Sequence, residues 1–475
     1  MLVKRLQTKI KSDPEKVILQ YFNVGNPNRI NNVLHRINLL SDSDLQNELF
    51  DIEKRFEGRH KFFKDILYNN FLKVEKYIDN PEKISKEKKM VIGAYFSKEY
   101  SIEAASLFNP SIVLHPDQSK LKPKTSRFIL SLRATGEGHI SSIEFKTGII
   151  DERNEIIFDK ESRFSTLPEN DNTKIFNRKF IKENIKLANN DFLQKFPETF
   201  TYEEAENIIN KFSPEDSLKY KHQIEDILDI IDSNYKIRFS HESDLNERVI
   251  FPLSKMESHG LEDLRLVRFS ENIGDNIYYG TYTAYDGHKF RTQLLETQDF
   301  NEFEIHTLHG AAIQDKGMAL FPRKINGKYV ITSRQGGENM QIMYSDDLYK
   351  WEKFEQLQTP KESWQFVQLG NCGSPIETEE GWLLITHAVG KFREYSIGAL
   401  LLDLDNPSKI IGNLKYPLLQ PNDEEREGYV PNVLYSCGSL VHNENLIIPY
   451  AMSDSYTGFA NVKLSDLTEM IKNGN

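Results

Sequence analysis

The feature that most constrains this chain is a strand pattern that recurs without a helix between its copies. Apolar strands return as RFILSLRAT, IYYGTYTAY, KYVITSRQ, GWLLITHAV and LIIPYAMSD. Second strands ending in an Asp-containing turn accompany them, as in QLLETQDF, QIMYSDDLYKW, ALLLDLDNP and NVKLSDL. These endings lie roughly fifty to sixty residues apart, a spacing that fits radial four-stranded units and not βαβ crossovers. Five units are counted, so the expected fold is mostly β: a five-bladed β-propeller.

Two stretches break the pattern. Residues 1–87 read as an N-terminal helical region. Ser41 and Asp42 are cap candidates there, and Leu45, Leu49, Ile52 and Phe56, then Phe63, Leu67 and Phe71, follow at helical spacing until Asn80-Pro81. A helical insertion at about 186–236, containing TYEEAENIINKF and LKYKHQIEDILDIIDSNY, is expected to pack beside it. The propeller is expected to occupy 88–475. The amphipathic stripe of the N-terminal region suits internal packing, self-association into a homo-oligomer, or capping of a funnel.

Composition narrows the partners. A net charge of -11 with no long basic run excludes nucleic acid and an anionic membrane surface, both of which need clustered Lys and Arg. Cys372 and Cys437 are read as reduced, because a secreted chain of this size usually carries more cysteines. The start, MLVKRLQTKIKSDPEK, lacks the apolar run of a secretory signal, and no stretch reaches membrane-span length. A cytoplasmic protein is therefore expected. No CxxC pair occurs, the one HxxH spacing, His306 with His309 in a presumed loop, is a weak coincidence, and His35, His60 and His222 fall in helical segments, so no metal is expected. With no Gly-rich nucleotide loop either, no organic cofactor is expected.

Function is sought where the first strands of the units end. Arg133, Tyr282 with Tyr285, Arg334, His387, and Tyr450 with Asp454 all sit at such ends. Polar residues delivered at the same point by five units imply a pocket on the axis. The sharpest motif is GLEDLRLVRF at 260–269. On a regular strand Glu262 and Asp263 would point to opposite faces, with Arg265 on the face of Asp263. A cation so close lowers a carboxyl pKa unless burial opposes it, so Asp263 could act as a general acid only with burial or a proton relay.

At this point the chain resembles glycoside hydrolase family 130, the β-mannoside phosphorylases and mannosidases. The matching segments run in order: LFNPSIV, LSLRATG, GLEDLRLV, YTAYDG, DKGMALFPRKINGKYVITSRQ, LGNCGSPIETEEGWLLITHAV, LLDLDNPSKIIG and EGYVPNVLYSCG. The resemblance implies a five-bladed propeller with one catalytic carboxylate, here Asp263, which protonates the glycosidic oxygen through a mannose hydroxyl while phosphate attacks the anomeric carbon. It also implies sugar contacts at Asn109, Arg133, Glu262, Arg265, Tyr282 and Asp454. Phosphate-binding positions map to Lys316, Arg334, His387 and Gln368. Arg334 and His387 keep the family residue, Lys316 stands for an arginine, Gly317 for its asparagine neighbour, and Gln368 for a lysine. Lys316 keeps the charge without the planar fork. Lys391 and Arg393 are candidates to compensate.

The implied activity is inverting phosphorolysis of β-mannosides, with a β-mannoside oligosaccharide and inorganic phosphate as partners. Two alternatives stay open. An inverting β-mannosidase would need a carboxylate base for water, with Glu338, Glu377 and Glu427 as candidates. A sugar-binding propeller without catalysis would be marked by loss of the acid, and Asp263 is present.

Overall fold

The strand-rich segments form antiparallel meanders whose first strands crowd together and whose later strands lie outward. The computed structural model describes residues 3–171, 173–185, 190–271 and 277–474. The first sheet unit runs Ser106–Leu114, Ser126–Thr135, Ser141–Ile150 and Ile156–Phe158. The second runs Gly260–Phe269, Ile277–Tyr285, Phe290–Thr297 and Glu302–Thr307. One parallel pairing, Gly260 with Ser141, joins these two into an eleven-stranded sheet. The third unit is Ala319–Leu320, Tyr329–Ser333, Met340–Ser345 and Phe354–Gln358. The fourth is Gln368–Asn371, Gly381–Val389, Tyr395–Leu402 and Ile410–Asn413.

The fifth unit is built from both ends of the chain. Leu434–Tyr435, Asn445–Met452 and Tyr456–Lys463 form its inner part, and the N-terminal strand Lys4–Ile10 pairs antiparallel with Tyr456–Lys463 as its outer edge. Arg5 locks this pairing by a forked contact with Glu425, at 2.8 and 3.0 Å. Such a fork is stronger than a point contact because both carboxylate oxygens are held.

Apolar side chains fill the space between each unit and the next. Phe145 and Ile143 meet Leu264 and Tyr278 between the first and second units, and Val267 and Leu294 meet Ile331 and Trp351 between the second and third. Met340 and Ile342 meet Trp382 and Leu384, and Ile385 and Leu401 meet Ile448 and Val462. Phe459 and Ile447 then return to Phe128 and Leu130 of the first unit. This two-sided burial explains why a strand such as GWLLITHAV is buried at every position and does not alternate.

Outside the sheets, helices Pro27–Asn38, Asp42–Phe56, Phe63–Leu72 and Lys86–Tyr95 pack on a core of their own with the hairpin of Val17–Tyr21 and Ser97–Ser101. Ser41 caps its helix by accepting from the Asp44 amide. Gly93 lets two helices touch: a Cβ there would lie 2.0 Å from the Leu67 carbonyl oxygen. The region expected to be helical over 1–87 therefore opens with two strands, and its helices continue to Tyr95. Local propensity does not separate short strands such as KRLQTKI from helix; pairing with a strand more than four hundred residues away decides.

The insertion also departs from expectation. Residues 186–189 of the expected span lie outside the described residues, and a helix already runs over Arg178–Asn184. The longest insertion helix, Lys221–Asp232, belongs to an apolar core separate from that of the N-terminal helices. It is tied to the second sheet unit instead, through Arg291 on Asp229 and through Gln293, which donates to the Ser233 carbonyl at 2.8 Å.

Because Lys4–Ile10 completes the fifth unit, deleting residues 1–10 is expected to lower the thermal midpoint by several degrees, as it unpairs one strand and uncovers Phe459. Calorimetry of the deletion variant checks this, and an unchanged midpoint would show that the strand carries no stability.

Candidate active site

Two irregularities in the inner strands create the site. Asn109 and Asp263 both have left-handed backbones, with φ of 48° and 56°. Each lies at a register break, between Phe108 and Ser111 in one strand and between Glu262 and Arg265 in the other. A bulge re-aims side chains and stores strain that the surrounding structure must hold. Here the two bulged residues meet, and Asn109 Nδ2 donates to Asp263 Oδ1 at 2.6 Å.

The bulge also corrects the expectation that Glu262 and Asp263 face opposite ways. Both carboxylates reach the same guanidinium: Arg133 Nη2 donates to Glu262 Oε1 at 2.9 Å and Nη1 to Asp263 Oδ1 at 3.3 Å. Lys316 Nζ contacts the other oxygen of Glu262 at 3.3 Å. Arg265 does not pair with the Asp263 carboxylate as the spacing implied. It donates to the Asp263 backbone carbonyl at 2.9 Å and to the Tyr435 hydroxyl at 2.5 Å, fixing the bulge from behind.

Asp263, Lys316, Arg334 and His387 line one small cavity, closed by Arg265, Asn371 and Tyr435. The space in it open to a water-sized sphere is about 20 Å³, room for about one water. His387 lines the cavity and is 2% exposed. Its Nδ1 is 2.9 Å from the Asn371 carbonyl oxygen, and its Nε2 faces Gln368 Nε2 at 3.4 Å. Arg334 Nε is buried without a hydrogen-bond partner among the described residues, as are Arg133 Nε and Arg265 Nε. Buried donors left open in this way favour a polar or anionic ligand.

The electrostatics separate the acids. Burial is the largest influence on Asp263 and acts to raise its pKa, but Arg133, Arg265, Lys316 and Asn109 outweigh it and hold the carboxyl below its usual range. Asp454, also left-handed with φ of 50°, is pushed up to about 6 by burial and then by the Asp263 charge, against Arg133 and Arg393. Burial, followed by Arg334 and Arg265, lowers His387 to about 3, so its ring is neutral. Pairs of acids whose environments push them apart are typical of working sites.

Not every residue expected at the site is there. Tyr282 points the other way along its strand, is buried, and donates its hydroxyl to Glu257 at 2.6 Å; its neighbour Thr283 lines the cavity instead. Tyr450 is likewise buried against Glu425 at 2.7 Å. A one-residue change of parity moves a strand side chain to the opposite face, and the bulges make that parity unreadable. Glu377 is held outside by a fork from Arg323, at 2.8 and 2.6 Å, while Glu338 and Glu427 are exposed and do not line the cavity. Lys391 and Arg393 are exposed too. Tyr435 and Asn371 were missed, although both lie in the segments VPNVLYSCG and LGNCGSP. Among the described residues, no group of three or more His, Cys, Asp or Glu could hold a metal ion, and no helix is long and apolar enough to cross a membrane.

Folding raises the Asp454 pKa, so the folded chain holds that proton more tightly than the unfolded chain. Its contribution favours folding below the unfolded value of about 3.9 and is lost as pH rises through about 6. Asp454→Asn is therefore expected to gain thermal stability over the parent at about pH 8 and to gain least near about pH 4. A gap in midpoint that does not widen with pH would contradict the assignment.

Residues 197–473, more than half of the chain, match the sequence profile of glycoside hydrolase family 130, described as β-1,4-mannooligosaccharide phosphorylase. Over 231 residues the chain is 36% identical to a 1,2-β-oligomannan phosphorylase of Thermoanaerobacter sp. (strain X514), covering 47% of this chain and 75% of that one. It is 34% identical over 165 residues to a β-1,4-mannooligosaccharide phosphorylase of Ruminococcus albus, covering 32% of this chain and 49% of that one. A solved β-1,2-mannobiose phosphorylase from Listeria innocua, in complex with β-1,2-mannobiose, aligns with a TM-score of 0.48 at 21% identity, over 78% of this chain and 92% of that one. The family profile and the first of these relatives together place the chain in glycoside hydrolase family 130.

Proposed function

We propose that this protein cleaves β-mannosides by inverting phosphorolysis, with Asp263 as general acid, and releases mannose 1-phosphate. The observation that carries the reading is one cavity holding a largely buried carboxylate, Asp263, together with two cations, Lys316 and Arg334, and a neutral imidazole, His387. Family membership and the phosphorylase names of the relatives support it. The five sheet units, each packed on the next and the fifth on the first, support a five-bladed propeller as the catalytic domain.

In this mechanism a phosphate oxygen attacks the anomeric carbon from the side of Arg334 and Lys316. The bond to the leaving oxygen breaks, and that oxygen takes a proton passed from Asp263 through a mannose hydroxyl. Asn109, Arg133, Glu262 and Asp454 hold the sugar, and Arg265 holds the backbone of Asp263. The low pKa of Asp263 in the free protein fits a site that loads in stages: sugar displaces water from the carboxyl and phosphate brings negative charge near it, and both raise its pKa. Preorganised cations opposite the acid stabilise the transferring charge without reorganisation. Phosphate is the only co-substrate required, the setting is cytoplasmic, and the N-terminal helices serve self-association.

A second reading, inverting hydrolysis, is favoured by one observation: Gln368 beside His387 is uncharged where a lysine would add a cation. It requires a base across the cavity, and Glu377 is committed to Arg323.

The test is incubation with β-1,2-, β-1,3- and β-1,4-linked mannobiose, with and without phosphate. Mannose 1-phosphate formed only with phosphate is expected; free mannose at equal rate in both would make the protein a hydrolase. Asp263→Asn should lose roughly 10²–10⁴-fold in turnover while still binding sugar. Arg334→Ala should raise the KM for phosphate at least about tenfold with the KM for the disaccharide little changed. An unaltered phosphate KM would remove Arg334 from the phosphate site.

A further inference from the structure

Glu262 stands between the two halves of the site. Its Oε1 accepts from Arg133 Nη2 at 2.9 Å, on the side read as holding the sugar, and its Oε2 accepts from Lys316 Nζ at 3.3 Å, on the side read as holding the anion. The Glu262 side chain is 17% exposed and does not line the cavity, so this bond ties the Lys316 ammonium to a group outside the anion site. Arg334 differs: its Nε has no hydrogen-bond partner among the described residues and is open to an anion from the start. The cavity of the free protein has room for about one water, so phosphate enters only after a lining side chain moves. Lys316 is able to move, because its side chain is 41% exposed and its charge rides on a flexible stem. Gly317 beside it has φ of 80°, and a Cβ there would meet nothing beyond its chain neighbours nearer than Arg334 Cβ at 3.9 Å.

We propose that Glu262 couples the two substrates by holding Lys316 until sugar hydroxyls replace it, so that sugar and phosphate each tighten the binding of the other. This rests on the phosphorolysis reading and deepens it. A largely buried carboxylate that loses an ammonium partner is left short of donors, and that cost opposes the turn of Lys316 toward phosphate while the sugar site is empty. Hydroxyls of a bound mannose donate to Glu262 Oε2 and remove the cost. Lys316 then joins Arg334 on the anion. The reverse holds by linkage: phosphate that draws Lys316 away leaves Oε2 open to a hydroxyl, and the two affinities change by the same factor. Glu262 is thus a positioning residue that acts on the anion through Lys316.

The experiment is calorimetric titration of inorganic phosphate into the intact chain, alone and at saturating 1,5-anhydromannitol, a mannose ring with no glycosidic bond to cleave. The Kd for phosphate is expected to fall at least about fivefold when the ring is bound. A Kd that stays within about twofold would overturn the inference while leaving phosphorolysis standing. Absence of binding by either ligand, alone or with the other present, would overturn both. Lys316→Met, once its circular dichroism is shown to match the parent's, should still bind phosphate through Arg334 but with a coupling factor of about one. Coupling of parental size in that variant would overturn the assignment to Lys316. Glu262→Gln should bind phosphate alone more tightly than the parent, the opposite of what damage to the fold would do. The same change made on Lys316→Met should leave phosphate affinity unaltered. Equal tightening in both backgrounds would trace the effect to lost charge alone and overturn the inference.

Discussion

Keeping an ionised carboxylate out of water is the constraint on which the rest of this structure depends. An isolated buried charge costs several kcal/mol even after relaxation, so Asp263 can remain ionised only if the fold surrounds its carboxyl group with partners. Asn109 and Arg133 supply them from the first sheet unit, and Lys316 adds charge from the approach to the third. Glu262 balances Arg133 and Lys316 in turn. Removing one member of such a set typically costs about 3–5 kcal/mol, because the others are left uncompensated. The strain at Asn109 and Asp263 persists because these contacts and the sheets behind them over-determine it.

Holding residues from separate sheets at hydrogen-bond distance requires that the sheets not slide. Continuous apolar packing from each unit to the next does this, and the N-terminal strand closes the last unit with the forked Arg5–Glu425 contact. Two buried carboxylates, each held by tyrosine hydroxyls, brace the walls. Tyr282 and Tyr235 share Glu257 just before the strand that carries Asp263, and Tyr450 bonds Glu425, the same carboxylate that Arg5 holds. Residues read from their position as ligand contacts thus stabilise the frame instead. The chemistry of the cavity also depends on the backbone: the Asn371 carbonyl decides which nitrogen of His387 carries a proton.

Legibility in the sequence followed the range of the physics involved. The strand-rich class was readable because turn residues and apolar strands are local signals, and the stripe of Leu45, Ile52, Phe63 and Leu67 was readable because helical periodicity is local too. Lys4–Ile10 was not, since its partner strand lies at the other end of the chain. Among the polar strand ends, Arg334 and His387 line the cavity whereas Tyr282 and Tyr450 do not. Adjacent positions on a strand belong to opposite faces, and identity alone does not say which face turns inward.

Sequence by itself determined the composition of the site: an adjacent acid pair, scattered cations, one histidine, and family segments that bring them in order. It also determined a mostly β chain, because alternating and fully apolar strands with frequent turns have few other ways to bury their surface. Tertiary structure alone decided that Glu262 and Asp263 share one arginine, that Arg265 serves the backbone and not the carboxylate, and that His387 carries its ring proton on Nδ1. Those outcomes turn on two bulges and one carbonyl oxygen. A bulge changes direction by a single residue and a hydrogen bond forms over about 3 Å, and neither leaves a periodic trace along the chain.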